Sequence, residues 1–181
     1  QLGQPTRLTP LRIDDHNDVL FPLSSHLRMQ FPRRGEHPAL ELTWRDGADC
    51  LPQVPEQFHE KKPDGSLEAP KLGGAGTVLY RSDGKFAITR GSHSGKSHVI
   101  PGDQAEEHAQ ALEVGKPRFG HAPSFTAACM DEDKTRSPFS IGGDLTKTLM
   151  LGVICQHLNE ELHFDRETER FIGNDGANAL L

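Results

Sequence analysis

An α+β fold follows from three features of the 181-residue sequence. Its first half alternates apolar and polar residues with the period of a sheet covered on one face. Its second half shifts to helical spacing, and tight-turn chemistry between neighbouring strand-like runs makes them antiparallel. PTRLTPLRI (5–13), SSHLRMQF (24–31) and ALELTW (39–44) are the first three strands. Turns separate them at Phe31-Pro32-Arg33-Arg34-Gly35 and follow them at Arg45-Asp46-Gly47. The second strand divides into two sets, Ser25-Leu27-Met29-Phe31 and Ser24-His26-Arg28-Gln30, one for each face. From Ala48 to Lys71 the periodicity fades among Pro, Glu, Lys and Asp, which predicts a long surface loop. A hairpin resumes at Thr77–Arg81 and Lys85–Thr89 around Ser82-Asp83-Gly84.

Helical signals begin at Asp103, with Glu106 three residues on in a capping-box relation and Gly115-Lys116-Pro117 as the stop. A short helix is expected over Ser124–Asp131. The strongest spans Asp144–Asn159, with Asp144 as its N-cap after two glycines and Leu145, Leu149, Val153, Ile154 and Leu158 as its apolar face. ELHFDRETERFIG reads as a small hairpin, and Asp175–Leu181 as a last helical turn.

Composition excludes several classes. Twenty Lys and Arg stand against 26 Asp and Glu, a net charge of -6, so there is no basic footprint for nucleic acid. Mean hydropathy is -0.58, and no apolar run reaches the ~18 residues of a membrane span. Cys50, Cys129 and Cys155 are odd in number and far apart, which gives neither a disulfide framework nor a CxxC motif. Ten histidines form no HExxH or HxH pattern. His157 and Glu161 share an i, i+4 relation, but zinc needs three or four convergent ligands and no third is signalled. RGSHSGKS (90–97) looks like a phosphate loop, yet Gly91 lies one residue too close to Gly95-Lys96-Ser97. The extended His98-Val99-Ile100-Pro101 follows it, where a phosphate loop needs a helix N-terminus.

Several segments together carry a likeness: LGQP at the start, FPRRGEHPALELTWRDG, GTVLYRSDGKFAITRG, HVIP, and the tail from PFSIGGDLTKTLMLG to FIGNDGANALL. In order and spacing they resemble the C-terminal domain of the Gfo/Idh/MocA oxidoreductases, over nearly the whole chain. The resemblance implies an open, mainly antiparallel sheet with helices packed on one face, while the other face commonly builds the oligomer. It makes residues 1–181 a single substrate-side domain. NAD or NADP would be bound by a Rossmann domain of the parent protein rather than by this chain. The family's catalytic lysine and Asp/His motifs belong before Gln1, which makes the chain a fragment or processed form. Glu60-Lys61-Lys62-Pro63 resembles the lysine motif by eye alone.

The implied parent moves hydride between nicotinamide and a sugar, polyol or related hydroxyl compound. The alternative is a non-catalytic carbohydrate-binding or assembly module without a cofactor domain. Four residues are substrate-binding candidates. His93 and Lys96 are donors on the Gly-rich turn that the related proteins place near the pocket mouth. His121 precedes a helix where the family often has a histidine facing the cleft. Trp44, the single tryptophan, ends a strand, where its ring serves either as a core or interface anchor or as a stacking platform for a sugar. A homo-oligomer through the open sheet face and a small sugar-like ligand are the expected partners. No catalytic residue and no metal ligand is expected in the chain, and its compartment, cytoplasmic or exported, stays open.

Overall fold

The structure, a computed structural model, describes residues 3–47, 50–72, 74–92, 97–105, 107–108, 120–135 and 138–181, and of His121 the backbone. The chain packs as two compact units. One unit joins Gln1–Cys50 to Gly120–Leu181, and the other is Leu51–Phe119. The division arises because the middle segment has apolar residues enough for a cluster of its own.

In the first unit, β1 (Arg7–Asp14), β2 (Ser24–Phe31) and β3 (Leu40–Gly47) form an antiparallel meander. After the helices, β9 (Leu162–Asp165) joins the free side of β1, and β10 (Arg170–Phe171) follows it. The five-stranded sheet thus runs β10-β9-β1-β2-β3, open at both edges and antiparallel throughout. The register puts Leu27, Met29 and Phe31 on one face with Leu8, Leu42 and Trp44. On this face lies α2 (Phe139–Leu158), which buries Leu151, Ile154 and Cys155 against the strands. Two further helices are described: α1 (His121–Cys129) and the single-turn α3 (Asp175–Asn178), whose Ala177 reaches the same core. The fold is therefore an α+β arrangement of open, antiparallel sheets.

Turned away from α2, the sheet presents Arg7, Thr9, Arg12, His26, Arg28, Gln30, Thr43 and Arg45. Among the described residues this face is polar and cationic. Burial, then Arg45 and Arg12, hold the His26 imidazole below its ordinary pKa.

Three local expectations change. Arg45-Asp46-Gly47 is not a turn but the end of β3, paired with Ser24, Ser25 and His26. Gly47 makes this possible: its φ is +99°, and a Cβ there would stand 2.5 Å from the Leu23 carbonyl oxygen. Asp144 is not an N-cap. Helix α2 starts at Phe139 behind Pro138, whose carbonyl accepts from Ile141 and Gly142, so both glycines and Asp144 lie inside it. Proline sets a helix-compatible φ at that start, and tertiary packing overrides the weak glycine penalty. With the helix placed so, Leu145 and Leu149 are exposed, and Leu151, Ile154 and Cys155 make the covered face.

The second unit is not a bare loop at its start. Phe58, in a 3₁₀ turn at Glu56–Phe58, and Val54 anchor the 51–71 stretch into a cluster with Ala87 and Ile100. A short ladder, β4 (Glu60–Lys61) with β5 (Leu67–Glu68), follows. The predicted hairpin is β6 (Gly76–Tyr80) with β7 (Ala87–Gly91), extended by β8 (Ser97–Ile100). Because β8 opens at Ser97, a strand and not a helix follows Lys96. Both carboxylate oxygens of Glu60 accept from the Gly102 amide at 3.0 and 2.9 Å, so the glutamate of the Glu-Lys-Lys-Pro stretch fixes a backbone turn. The body of the helix expected after Asp103 lies outside the described residues.

Candidate functional site

The described residues build a groove where the beginning of β1 meets the first half of α2 and the β9–β10 turn, all within the first unit. Its volume is about 980 Å³, enough for a monosaccharide-sized ligand. Long-range polar contacts, rather than one local motif, shape it.

One wall is set by Gln4. Its side-chain oxygen accepts from Thr148 Oγ1 at 2.9 Å, and its amide nitrogen donates to the Asp144 carbonyl at 3.3 Å, which ties the start of β1 to α2. Lys147, one turn of helix from Asp144, pairs with Glu169 of the β9–β10 turn. The turn itself is fixed by Asp165, whose carboxylate accepts from the Glu167 amide at 2.9 Å and from Thr168 Oγ1 at 2.8 Å. Those bonds, the Glu167 amide first, hold the Asp165 carboxyl below the usual carboxylate range.

Along the sheet, Arg7 donates through Nη2 to both oxygens of Glu161 at 2.8 and 2.9 Å, and Thr9 Oγ1 adds a third bond at 3.0 Å. Arg7 is the largest cause of the lowered Glu161 pKa, followed by Thr9. Glu161 is a partner of Arg7, and the His157 carbonyl accepts from His16 Nε2 at 2.6 Å. Among the described residues no three His, Cys, Asp or Glu side chains come together as metal ligands.

Gly3 has a φ of +72°, and the place of its missing Cβ lies 3.0 Å from Arg166 Nη2 and 3.5 Å from Arg34 Nη1. Two guanidiniums therefore converge on a glycine at the groove. In this position a side chain would stand between them.

Compared with known proteins, the chain matches no family model, no curated protein and no solved structure. The site therefore rests on its own geometry. Of the residues singled out in the sequence, Trp44 pairs with Leu27 on the helix-side face, 43% exposed, and does not line the groove. His93 and Lys96 lie outside the described residues. His121 is the first residue of α1, with its side chain outside what the structure describes. The residues that do meet, Gln4, Arg7, Arg34, Lys147 and Arg166, were not singled out individually. They fall within quoted segments, Gln4 in LGQP, Arg34 in FPRRGEHPALELTWRDG, Lys147 in PFSIGGDLTKTLMLG and Arg166 in ELHFDRETERFIG, without a local signal that they meet.

The free thiols contribute no nucleophile to this groove. Cys155 is buried and donates to the Glu160 carbonyl, and burial, with Glu161 nearby, pushes its pKa up to about 12. Among the described residues no helix is long and apolar enough to cross a membrane.

Proposed function

We propose that the chain is the substrate-side domain of an NAD(P)-dependent oxidoreductase acting on a sugar, polyol or related hydroxyl compound. The observation that carries the reading is the groove, with cationic donors, amides and carboxylates on its walls at monosaccharide scale. Hydroxyl compounds are selected by hydrogen bonds that an analogue leaves unmade, and such walls provide donors and acceptors on several sides. In this role the chain's residues bind and orient, while hydride transfer and its acid/base help come from the nicotinamide and a dinucleotide domain.

The tail supplies further support, because three residues behind the family resemblance, Asn174, Ala177 and Asn178, have work in the fold. Asn174 Oδ1 caps α3 by accepting from the Ala177 amide at 2.8 Å, and Ala177 is fully buried. Asn178 exchanges two bonds with the Phe171 backbone, at 2.9 and 2.8 Å, and fastens β10. Self-association belongs to the same proposal. The sheet face turned away from α2 carries Arg28 and Arg45 together with Glu41, so a second copy would meet it through polar pairing.

Titration of the chain with a panel of sugars and polyols, read by backbone amide NMR, tests the reading. Saturable binding with shifts at Gly3–Arg7 and Asp165–Glu169 is expected, and none with ATP or NADH. Nucleotide binding tighter than roughly 100 μM, about -5.5 kcal/mol, would overturn it. Sedimentation at tens of micromolar tests the assembly, and a strictly monomeric profile removes that part.

A further inference from the structure

Self-association is one part of the proposed reading, and the inference that rests on it concerns where the second copy sits. We infer that two copies join edge to edge through β3, antiparallel about a two-fold axis at Thr43, so that their five-stranded sheets become one continuous sheet.

The two edges of the sheet are finished differently. At β10 only Arg170 and Phe171 are paired, and Asn178 closes the outer side, accepting from the Phe171 amide at 2.9 Å and donating to its carbonyl at 2.8 Å. At the other edge β3 runs for eight residues in unbroken register with β2, with no proline, no lysine and no bulge to guard it. Among the described residues its backbone bonds to β2 alone. Helix α2 packs on β1 and β2 and leaves every β3 residue except Leu42 exposed. A long strand with a free row of N–H and C=O groups is a template for one more strand.

The charges that β3 does carry select that strand. Glu41, Thr43 and Arg45 lie on the polar face, and Leu40, Leu42 and Trp44 on the face toward α2. Residues opposite each other in an antiparallel pair share a face, so a symmetric pair of β3 strands must set one residue against its own copy. With Thr43 as that residue, Glu41 of each copy faces Arg45 of the other, Trp44 faces Leu42, and Thr43 faces Thr43. Opposite charges, aromatic–aliphatic contacts and paired threonines are the cross-strand neighbours that stabilise a sheet, and by symmetry the first two occur twice. Centred on Leu42, the strands would set Arg45 against Ala39 and Glu41 against Thr43; centred on Trp44, they would set Arg45 against Thr43 and Glu41 against Gly47. Only the Thr43 register matches the charges. Arg45 makes no ion pair among the described residues and stands in one cross-strand row with His26 and Arg12, so a carboxylate from a second copy relieves a crowded cation.

Trp44 is 43% exposed in one copy and is the single tryptophan of the chain, so its fluorescence reports on this edge. The test follows the full 181-residue chain by sedimentation and by Trp44 emission from about 1 to about 100 μM. A monomer–dimer transition is expected, with the emission moving to shorter wavelength over the same concentrations as Leu42 of the second copy covers the indole. Glu41→Arg and Arg45→Glu, both at exposed positions, should each weaken the dimer at least about tenfold, because two attractive pairs become two repulsive ones. Mixing the two variants should restore association, since each then meets its complement, and circular dichroism confirms that both are folded.

A dimer that leaves Trp44 emission unchanged and tolerates both reversals would overturn the edge inference and leave assembly through the sheet face standing. Weakening by both reversals without rescue on mixing would refute the Thr43 register. A chain that stays monomeric throughout overturns this inference together with the assembly part of the reading, whereas the sugar and polyol titration judges the substrate part independently.

Discussion

Gly152 sets the height of α2 over the sheet, and replacing it is the sharpest test of the packing. The helix crosses β1 and β2 with Gly152 buried, and an ideal Cβ at that position would lie 2.5 Å from Met29 Cε and 3.9 Å from Leu27 Cδ1. Ordinary carbon–carbon contact is about 3.5 to 4.0 Å, so Met29 must retreat by roughly 1 Å or more, or the helix must lift. Two effects of opposite sign compete in Gly152→Ala. Alanine gains about 1 kcal/mol in helix propensity. Overpacking a close-packed core costs about 1 to 3 kcal/mol, and Met29, 3% exposed, has little room to move even with its flexible thioether. The net should be a loss of about 0 to 2 kcal/mol in urea unfolding followed by far-UV circular dichroism.

A double-mutant cycle separates the two effects. Met29→Ala alone should cost about 2 to 5 kcal/mol as a buried truncation. In the Gly152→Ala background the clash is gone and the propensity gain remains, so the double variant should be about 1 to 3 kcal/mol more stable than the sum of the singles. If Gly152→Ala instead stabilised the protein by the full propensity gain, with no coupling to Met29, the close approach of helix and sheet would be refuted.

Three other outcomes follow from named contacts. Asp144→Ala should leave stability unchanged or raise it by up to about 0.5 kcal/mol, since Asp144 sits inside α2; a loss near 1 kcal/mol in thermal unfolding would restore it as an N-cap. Glu161 has a folded pKa depressed first by Arg7 and then by Thr9, so its contribution is present above the ordinary glutamate range and is lost as pH falls through the lowered folded value. Glu161→Gln should accordingly melt lower than the unsubstituted chain at pH 7, with the difference closing in acid, and parallel curves at every pH would contradict the linkage. Cys129 is exposed whereas Cys155 is buried with a raised pKa, so a thiol reagent should label Cys129 in the native state and Cys155 only on unfolding, as peptide mapping would show.

What the sequence reveals of this fold is its local part. Strand β2 matches SSHLRMQF end to end because period-2 alternation needs no distant partner. The β9–β10 hairpin and the closing turn are likewise local. Where turn chemistry and helix propensity met tertiary structure, the tertiary structure won. Gly47 carries the end of a strand because β2 lies alongside it, and Gly142-Gly143 are helical because Pro138 starts α2 before them. The groove was illegible for a different reason. Gln4 meets Thr148 across 144 residues and Arg7 meets Glu161 across 154, and no window of sequence brings such pairs together.

The same distance explains why the groove is suited to hold a ligand in one geometry. Each of its walls hangs from a residue that the core immobilises. Leu8, without exposed surface, pins β1 beside Arg7; Phe164, 2% exposed, pins β9 just before the Asp165 turn; and Leu151 with Gly152 seats α2 one turn beyond Lys147 and Thr148. Polar side chains placed in this way lose little further freedom when a ligand arrives, so more of their interaction free energy appears as affinity. A ligand seated in the groove should therefore leave the Gln4–Thr148 wall nearly unmoved. A ligand that shifted the α2 amides as strongly as the turn would mean that the walls are not preformed.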